Sequence, residues 1–224
     1  MRALLRPAIL ACAALLCLGA APNWNARITQ TPEGGHRLGN PEAQVKVVAF
    51  ESYTCPHCAN FQLQSDGPLR LAYIPTGKVS FEVRHFVRDG VDLTAAMLTE
   101  CVAPAKFFDA HRALFSNFKT WSPRMHSATK AQLDRWNALD RAAGRRAIAS
   151  DLGFYELLAP QGLTRGQADK CLNDGALAKR LAEQTKADSE KYGIEGTPSF
   201  AINGTLLAAT YEWALLRMQI EARL

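Results

Sequence analysis

Residues 44–58 read QVKVVAFESYTCPHC, and this stretch decides the fold. Its first half, Gln44 to Phe50, is a β-branched apolar run, the mark of a buried strand. The strand runs straight into Cys55, Pro56, His57 and Cys58. Beyond them Phe61, Leu63, Leu69, Leu71 and Tyr73 form an apolar series that reads as a helix, with Gly67-Pro68 expected to kink or interrupt it. A helix N-terminus leaves unpaired N–H groups and a partial positive charge, so a thiolate at Cys55 is stabilised there. Pro56 suits the first helical position, where a missing N–H costs nothing. His57 can add positive charge or donate to the Cys55 sulfur. Cys58 lies one turn on, more buried, and is placed to act as a resolving thiol.

Working outward, Lys78–Val87 (KVSFEVRHFV) is a second strand, and Arg27–Thr29 a possible edge strand. Gly34-Gly35 and Gly39-Asn40-Pro41 are turn signals. From about Asp92 to Lys191 the pattern becomes helical: Leu93, Met97, Phe107, Phe108, Leu114 and Phe115 recur at helical spacing. Gln132–Ser150, Arg165–Asn173 (capped by Thr164) and Leu177–Lys191 are further helices. Strands return at Ser199–Ile202 and Thr205–Leu207, joined by the hairpin signal Asn203-Gly204, and Tyr211–Arg223 closes the chain as an amphipathic helix. Residues 27–88 and 192–224 therefore form one α/β unit, βαβ followed by ββα. Residues 89–191 are an inserted all-helical subdomain that must pack beside the sheet.

The chain has 224 residues, 48% hydrophobic and 21% charged, which excludes disorder and a polytopic membrane protein. Residues 1–21 read as a cleaved secretory signal peptide: Arg2 and Arg6, an apolar run from Ala8 to Leu18, then Gly19-Ala20-Ala21. An uncleaved anchor is the alternative. Loss of that segment leaves 24 basic against 21 acidic residues, a charge of +3 that does not argue for nucleic acid. It also removes Cys12 and Cys17, leaving Cys55, Cys58, Cys101 and Cys171 in an oxidising compartment, where thiols can pair. A bacterial periplasm is the expected location.

A CxxC can also be half of a zinc site, but a closed site needs a second ligand pair. His36, His85, His111 and His126 show no paired spacing, so no metal or cofactor is expected. A purely structural disulfide is disfavoured because short loops gain least from closure. A redox-active pair remains. A second signal, Gly196-Thr197-Pro198-Ser199-Phe200, precedes the late strand. A cis Thr197-Pro198 peptide would bring backbone against the cysteine pair and offer Thr197 to an extended client chain.

The strand–CPHC–helix unit, the helical insert and the late TPSF strand resemble DsbA-type thiol:disulfide oxidoreductases, of the thioredoxin superfamily, over about residues 27–224. The resemblance implies a thioredoxin-like fold, with Cys55 as nucleophile, Cys58 as resolving cysteine, His57 as thiolate stabiliser and Pro198 as cis-proline. It implies disulfide donation to unfolded exported polypeptides and reoxidation by a quinone-linked, DsbB-type membrane partner. Two positions depart from the pattern. A buried acid six residues before the first cysteine is replaced by Ala49, and Glu51, on the same face, could serve as proton relay instead. Thr197 stands where many oxidases carry valine, as in the isomerase and reductase branches; an isomerase would, however, carry an N-terminal dimerisation domain, so a monomer is expected. Cys101 and Cys171 fall on the helical block, either as buried free thiols or as a structural disulfide. The function expected is that of an exported dithiol oxidase. A reductase or isomerase, or a redox-inert client-binding holdase, is the alternative.

Overall fold

Val45, Val47 and Ala49 face one side of the sheet and Val48 and Phe50 the other, all buried, so the strand they form is covered on both faces. In the computed structural model, which describes residues 22–224, this strand is β3 (Val45–Glu51). Two short strands precede it, β1 (Ile28–Gln30) and β2 (His36–Gly39). Helix α1 (Pro56–Pro68) follows, and leads through a π-helical turn at Leu69–Tyr73 to β4 (Val79–His85), parallel to β3. Pro68 removes one backbone donor, and the helix loosens into the wider turn there instead of ending. After the helical block come β5 (Ser199–Ile202) and β6 (Thr205–Leu206). The sheet order is β1-β2-β4-β3-β5-β6, antiparallel except for β3 with β4.

The β5–β6 turn needs positive φ at both central residues, and Asn203 (51°) and Gly204 (84°) supply it. Asn203 also ties the turn to β3, accepting from the Lys46 N–H and donating to the Gln44 carbonyl.

The helical block comprises α2 (Gly90–Glu100), α3 (Phe107–Ser116), α4 (Phe118–His126), α5 (Lys130–Trp136), α6 (Arg141–Asp151), α7 (Phe154–Leu158), α8 (Arg165–Leu172) and α9 (Gly175–Tyr192). The apolar stretch Gln132–Ser150 is two helices, not one. Asp140 interrupts it by accepting from the Ala142 and Ala143 N–H groups as a new N-cap. Gly144 allows the second helix to cross close to the first: a Cβ there would lie 2.5 Å from the Trp136 carbonyl oxygen. Thr164 starts α8 with a reciprocal capping box to Gln167. The final helix, α10 (Trp213–Glu221), packs Trp213, Leu216 and Ile220 on the sheet.

The helical block shares its core with the sheet. Phe107 and Phe108 of α3 pack with Phe61, Phe81 and Phe200 on the sheet side. Conversely Tyr53, Cys55, Cys58 and Ala59 are buried among Ala95, Leu98, Leu114 and Phe115 of the block. On the opposite sheet face, Arg84 of β4 donates to Glu82 at 2.7 Å and to Asp188 of α9 at 2.9 Å, so a buried ion cluster fixes α9. Strand β2 was not legible because HRLG has no β-branched residue. Tertiary partners make it a strand: His36 stacks on Phe107 at 3.6 Å between ring centroids.

Cys101, just past α2, and Cys171 of α8 form a disulfide, with Cα atoms 6.2 Å apart. It closes an interval of 70 residues. In the chain-entropy treatment such a loop restricts the unfolded chain by about 4 kcal/mol. A Cys101→Ala/Cys171→Ala variant should lose about that much stability while keeping its secondary structure, as read by denaturant unfolding under non-reducing conditions.

Candidate active site

Cys55 is the N-cap of α1 and Pro56 its first residue, so the N–H groups of the first turn point at the sulfur. The loop before it is held from α2. Asp92 accepts from the Ser52 hydroxyl (2.5 Å), the Tyr53 N–H (2.8 Å) and the Arg88 N–H (3.0 Å). Asp89, the N-cap of α2, accepts from the Thr54 hydroxyl at 2.8 Å. Two acids one helical turn apart thus clamp the three residues that lead into Cys55. Sequence reading missed this clamp; the DGVD spacing at a helix start is the signal that marks it.

Cys55 and Cys58 are free thiols in this structure, and both are buried. Their environments push them apart. The Cys58 thiol, donating toward the Cys55 sulfur, brings the Cys55 pKa down to about 5; the Thr197 hydroxyl and the Cys58 and His57 backbone N–H groups add to this, against the opposing effect of burial. Burial, the hydrogen bond to Cys55 and the nearby charge of Glu51 push Cys58 well above an ordinary thiol. His57 faces the sulfur through its N–H, while its side chain is exposed.

Thr197-Pro198 is cis, and the Thr197 carbonyl accepts from the Cys55 thiol at 3.1 Å. The Thr197 hydroxyl is buried without a partner beside the thiol, so it is available to the thiolate. A cleft of about 420 Å³ opens over Cys55, floored by Pro56, His57 and Thr197 and walled by Phe86, Arg88 and Glu195. A second groove of about 240 Å³ continues from Pro56 along Leu63 to Phe118.

Glu51 ends β3 and is buried on the α1 side, where Gln62 donates to both its oxygens at 2.8 and 3.0 Å. His111 of α3 is also buried. Its Nε2 lies 3.6 Å from Glu51, and its Nδ1 is 2.8 Å from the Tyr53 hydroxyl. The sequence-predicted residues Cys55, Cys58, His57, Thr197, Pro198 and Glu51 therefore converge. Cys101 and Cys171 lie apart from them in the helical block. Gln62, Asp92, Tyr53 and His111 were missed. His111 was legible in one respect: it shares a four-residue spacing with Phe107 and Phe115 on the apolar stripe of α3. Among the described residues no group of three or more His, Cys, Asp or Glu side chains is disposed to hold a metal ion.

The fold and the cysteine pair define a thioredoxin-like protein, and residues 31–222 match the family model described as Thioredoxin. A crystal structure of a protein-disulfide isomerase from Novosphingobium aromaticivorans is 46% identical with a TM-score of 0.80, covering 84% of this chain and 96% of that one. The alpha-DsbA1 of Wolbachia pipientis shares the fold at 24% identity and a TM-score of 0.66, covering 84% and 89%. A Rickettsia bellii protein whose name marks it as a candidate protein-disulfide oxidoreductase is 29% identical over 167 residues, which is 75% of this chain and 56% of that protein. The chain spans about half the length of the curated Rickettsia relatives it matches. It belongs to the thioredoxin family.

Because the Cys58 thiol contributes most to lowering Cys55, Cys58→Ala should raise the Cys55 pKa from about 5. Cys58→Ser, whose hydroxyl can still donate, should raise it less; thiolate absorbance against pH on the reduced variants reads both.

Burial raises Asp92 to about 7. A carboxyl raised on folding favours the folded state in its protonated form, so its contribution is full below the unfolded value of about 4 and is lost as pH rises through about 7. Unfolding free energy measured from pH ~4 to ~8 should show that decline, and Asp92→Asn, which has no such proton, should flatten it.

Proposed function

We propose that this chain is an exported dithiol oxidase that introduces disulfides into secreted proteins. The observation that carries the reading is the split between the two cysteines: Cys55 is held as a thiolate and Cys58 as a thiol. A reduced form stabilised in this way makes the disulfide form a strong oxidant. A client thiolate attacks Cys55 of the Cys55–Cys58 disulfide; that bond breaks, and Cys58 leaves and takes up a proton. A second client thiolate then attacks the client sulfur of the mixed disulfide. The client disulfide forms and Cys55 leaves as a thiolate. Two electrons pass from client to protein. Cys55 is the nucleophile, Cys58 the resolving cysteine, the His57 N–H and Thr197 hydroxyl the thiolate stabilisers, and Glu51 the buried acid that exchanges a proton with Cys58. Pro198 and Thr197 present backbone to an extended client over the cleft.

The signal-like residues 1–21 lie outside the described residues; their sequence supports export to the periplasm. Clients would be unfolded exported polypeptides with free thiols, the reoxidant a quinone-linked, DsbB-type membrane protein, and the working form a monomer. An isomerase is the second reading, favoured by Thr197 and by the name of the similar Novosphingobium protein. Refolding of a reduced substrate against a scrambled one separates the two: an oxidase accelerates the first far more than the second.

The pKa of Cys55 also fixes how the potential moves with pH. Below about 5 the reduced protein takes up two protons with its two electrons, and above about 5 only one. At two electrons each proton contributes ~30 mV per pH unit, so the slope should fall from ~59 to ~30 mV near pH 5. Glutathione equilibration across pH measures it; a single slope of ~59 mV through neutrality would sink the oxidase reading.

A further inference from the structure

A series of polar side chains runs from the buried end of the cysteine pair to Glu100 at the C-terminal end of α2. Glu51 is close enough for its charge to act on Cys58, and Gln62 holds it with two hydrogen bonds. His111 Nε2, buried and without a hydrogen-bond partner, faces Glu51 at 3.6 Å. His111 Nδ1 meets the Tyr53 hydroxyl at 2.8 Å, and that hydroxyl is 3.3 Å from the Thr99 hydroxyl. Thr99 lies 3.5 Å from His85 Nε2, itself 3.3 Å from Glu100. Glu100 meets His36 at 2.8 Å and Arg180, half-exposed, at 3.5 Å.

We propose that His111 is the proton relay between Glu51 and Tyr53, and that through it Cys58 exchanges its proton with the group at Glu100 and the half-exposed Arg180 at the far end of α2. This rests on the dithiol exchange reading and extends it. The need follows from burial. Cys58 has no exposed surface, and a client disulfide-bonded to Cys55 covers the cleft. Yet Cys58 must gain a proton when it leaves and lose one when it attacks. Glu51 holds one exchangeable proton, so repeated turnover needs a group that refills and empties it. An imidazole has two nitrogens and passes a proton from one to the other by changing tautomer. Tyr53 is suited to the far side: its hydroxyl donates to His111 Nδ1 when Nε2 carries a proton toward Glu51, and accepts from Nδ1–H in the other tautomer. When Cys58 leaves, Glu51 delivers its proton to that sulfur, His111 Nε2–H reprotonates Glu51, and the Tyr53 proton moves to Nδ1. Tyr53 then recovers a proton through Thr99, whose neighbours are His85 and Glu100.

The groups that face His111 set its behaviour. They are Glu51 from β3, Tyr53 from the loop before α1, Gln62 from α1, Thr99 from α2 and His85 from β4. Its own helix contributes only Phe107, Phe108 and Phe115 beside it. Among the described residues Glu51 is the carboxylate that faces His111 Nε2, so that nitrogen is placed to exchange a proton with it.

The test is reduction of the Cys55–Cys58 disulfide by glutathione, followed by stopped flow from pH ~5 to ~9, with the rate expressed per glutathione thiolate. In the wild type that rate should stay flat. In His111→Phe it should fall by at least about tenfold at the alkaline end and acquire a solvent deuterium isotope effect. Glu51→Gln should show the same loss, and the double variant no more. His111→Gln repeats the test with a side chain that still bonds Tyr53 but cannot titrate. A folded variant with a flat profile overturns the relay, as does a uniform loss without an isotope effect. Imidazole nitrogen shifts of the wild-type protein decide the matter without substitution: the protonated nitrogen of His111 must differ between the oxidised and reduced forms, and identical shifts overturn the proposal. Cys55 titration in each variant separates the two readings. A wild type whose Cys55 titrates as an ordinary thiol fails the oxidase reading, whereas a low-titrating Cys55 with unaffected variants fails the relay alone.

Discussion

A single proton, held on Cys58 and shared toward the Cys55 sulfur, organises this site. Cys58 is buried in the common core and cannot ionise without placing a charge in an apolar surround, so its thiol remains a donor. Cys55 sits at the mouth of a helix and of a cleft, where N–H groups converge and an anion is tolerated. The donor on one sulfur then stabilises the charge on the other. The asymmetry requires two sulfurs one turn apart to experience different dielectric surroundings. Much of the rest of the molecule maintains that difference: the helical block closes over Cys58, and the Asp89–Asp92 clamp stops the loop from lifting Cys55 away from the helix axis.

The helical block therefore helps build the site and is not an appendage. Its α3 inserts Phe107 and Phe108 under the sheet and presents His111 to the end of β3. Its α2 supplies both clamp acids. The Cys101–Cys171 disulfide joins the end of α2 to α8, and so limits how far the clamp helix can drift from the block. A buried polar network is tolerated when its members satisfy one another, since an unpaired group in low dielectric is costly. Here Gln62 satisfies Glu51 with two hydrogen bonds, while Tyr53 meets His111 Nδ1 and donates to the Thr99 hydroxyl.

The fold was legible where local chemistry and tertiary context agree. QVKVVAF is buried on both faces and reads as apolar throughout; CPHC carries its own helix start; Asn203-Gly204 dictates its turn. Strand β2 was not legible, because HRLG is a strand only by virtue of β1, β4 and Phe107 around it. The split of Gln132–Ser150 depended on Asp140 preferring a cap to a helix interior, a choice that apolar spacing does not encode. In the site, residues tied to the cysteine motif or to a strand end were visible, including Glu51. Those that reach the site from far along the chain were hidden: Asp92 and His111 approach across 40 and 58 residues, respectively. Their distance in sequence is removed only by packing of the helical block.

Glu51 shows how a buried acid is accommodated at the end of β3. Successive residues on one face of a strand are about 7 Å apart, so moving the acid from position 49 to position 51 carries it one step toward the end of β3. At position 49 the side chain would enter the aromatic cluster of Phe61, Phe81 and Phe200, and alanine fits there. At position 51 the carboxylate leaves that cluster and meets an amide from α1 and an imidazole from α3. The same face is kept, and the charge of Glu51 still raises the Cys58 thiol. Glu51 thus needs polar partners from two further helices, whereas an acid six residues before the first cysteine would have had to find them inside the sheet core. The shift of two residues couples the buried acid to the helical block.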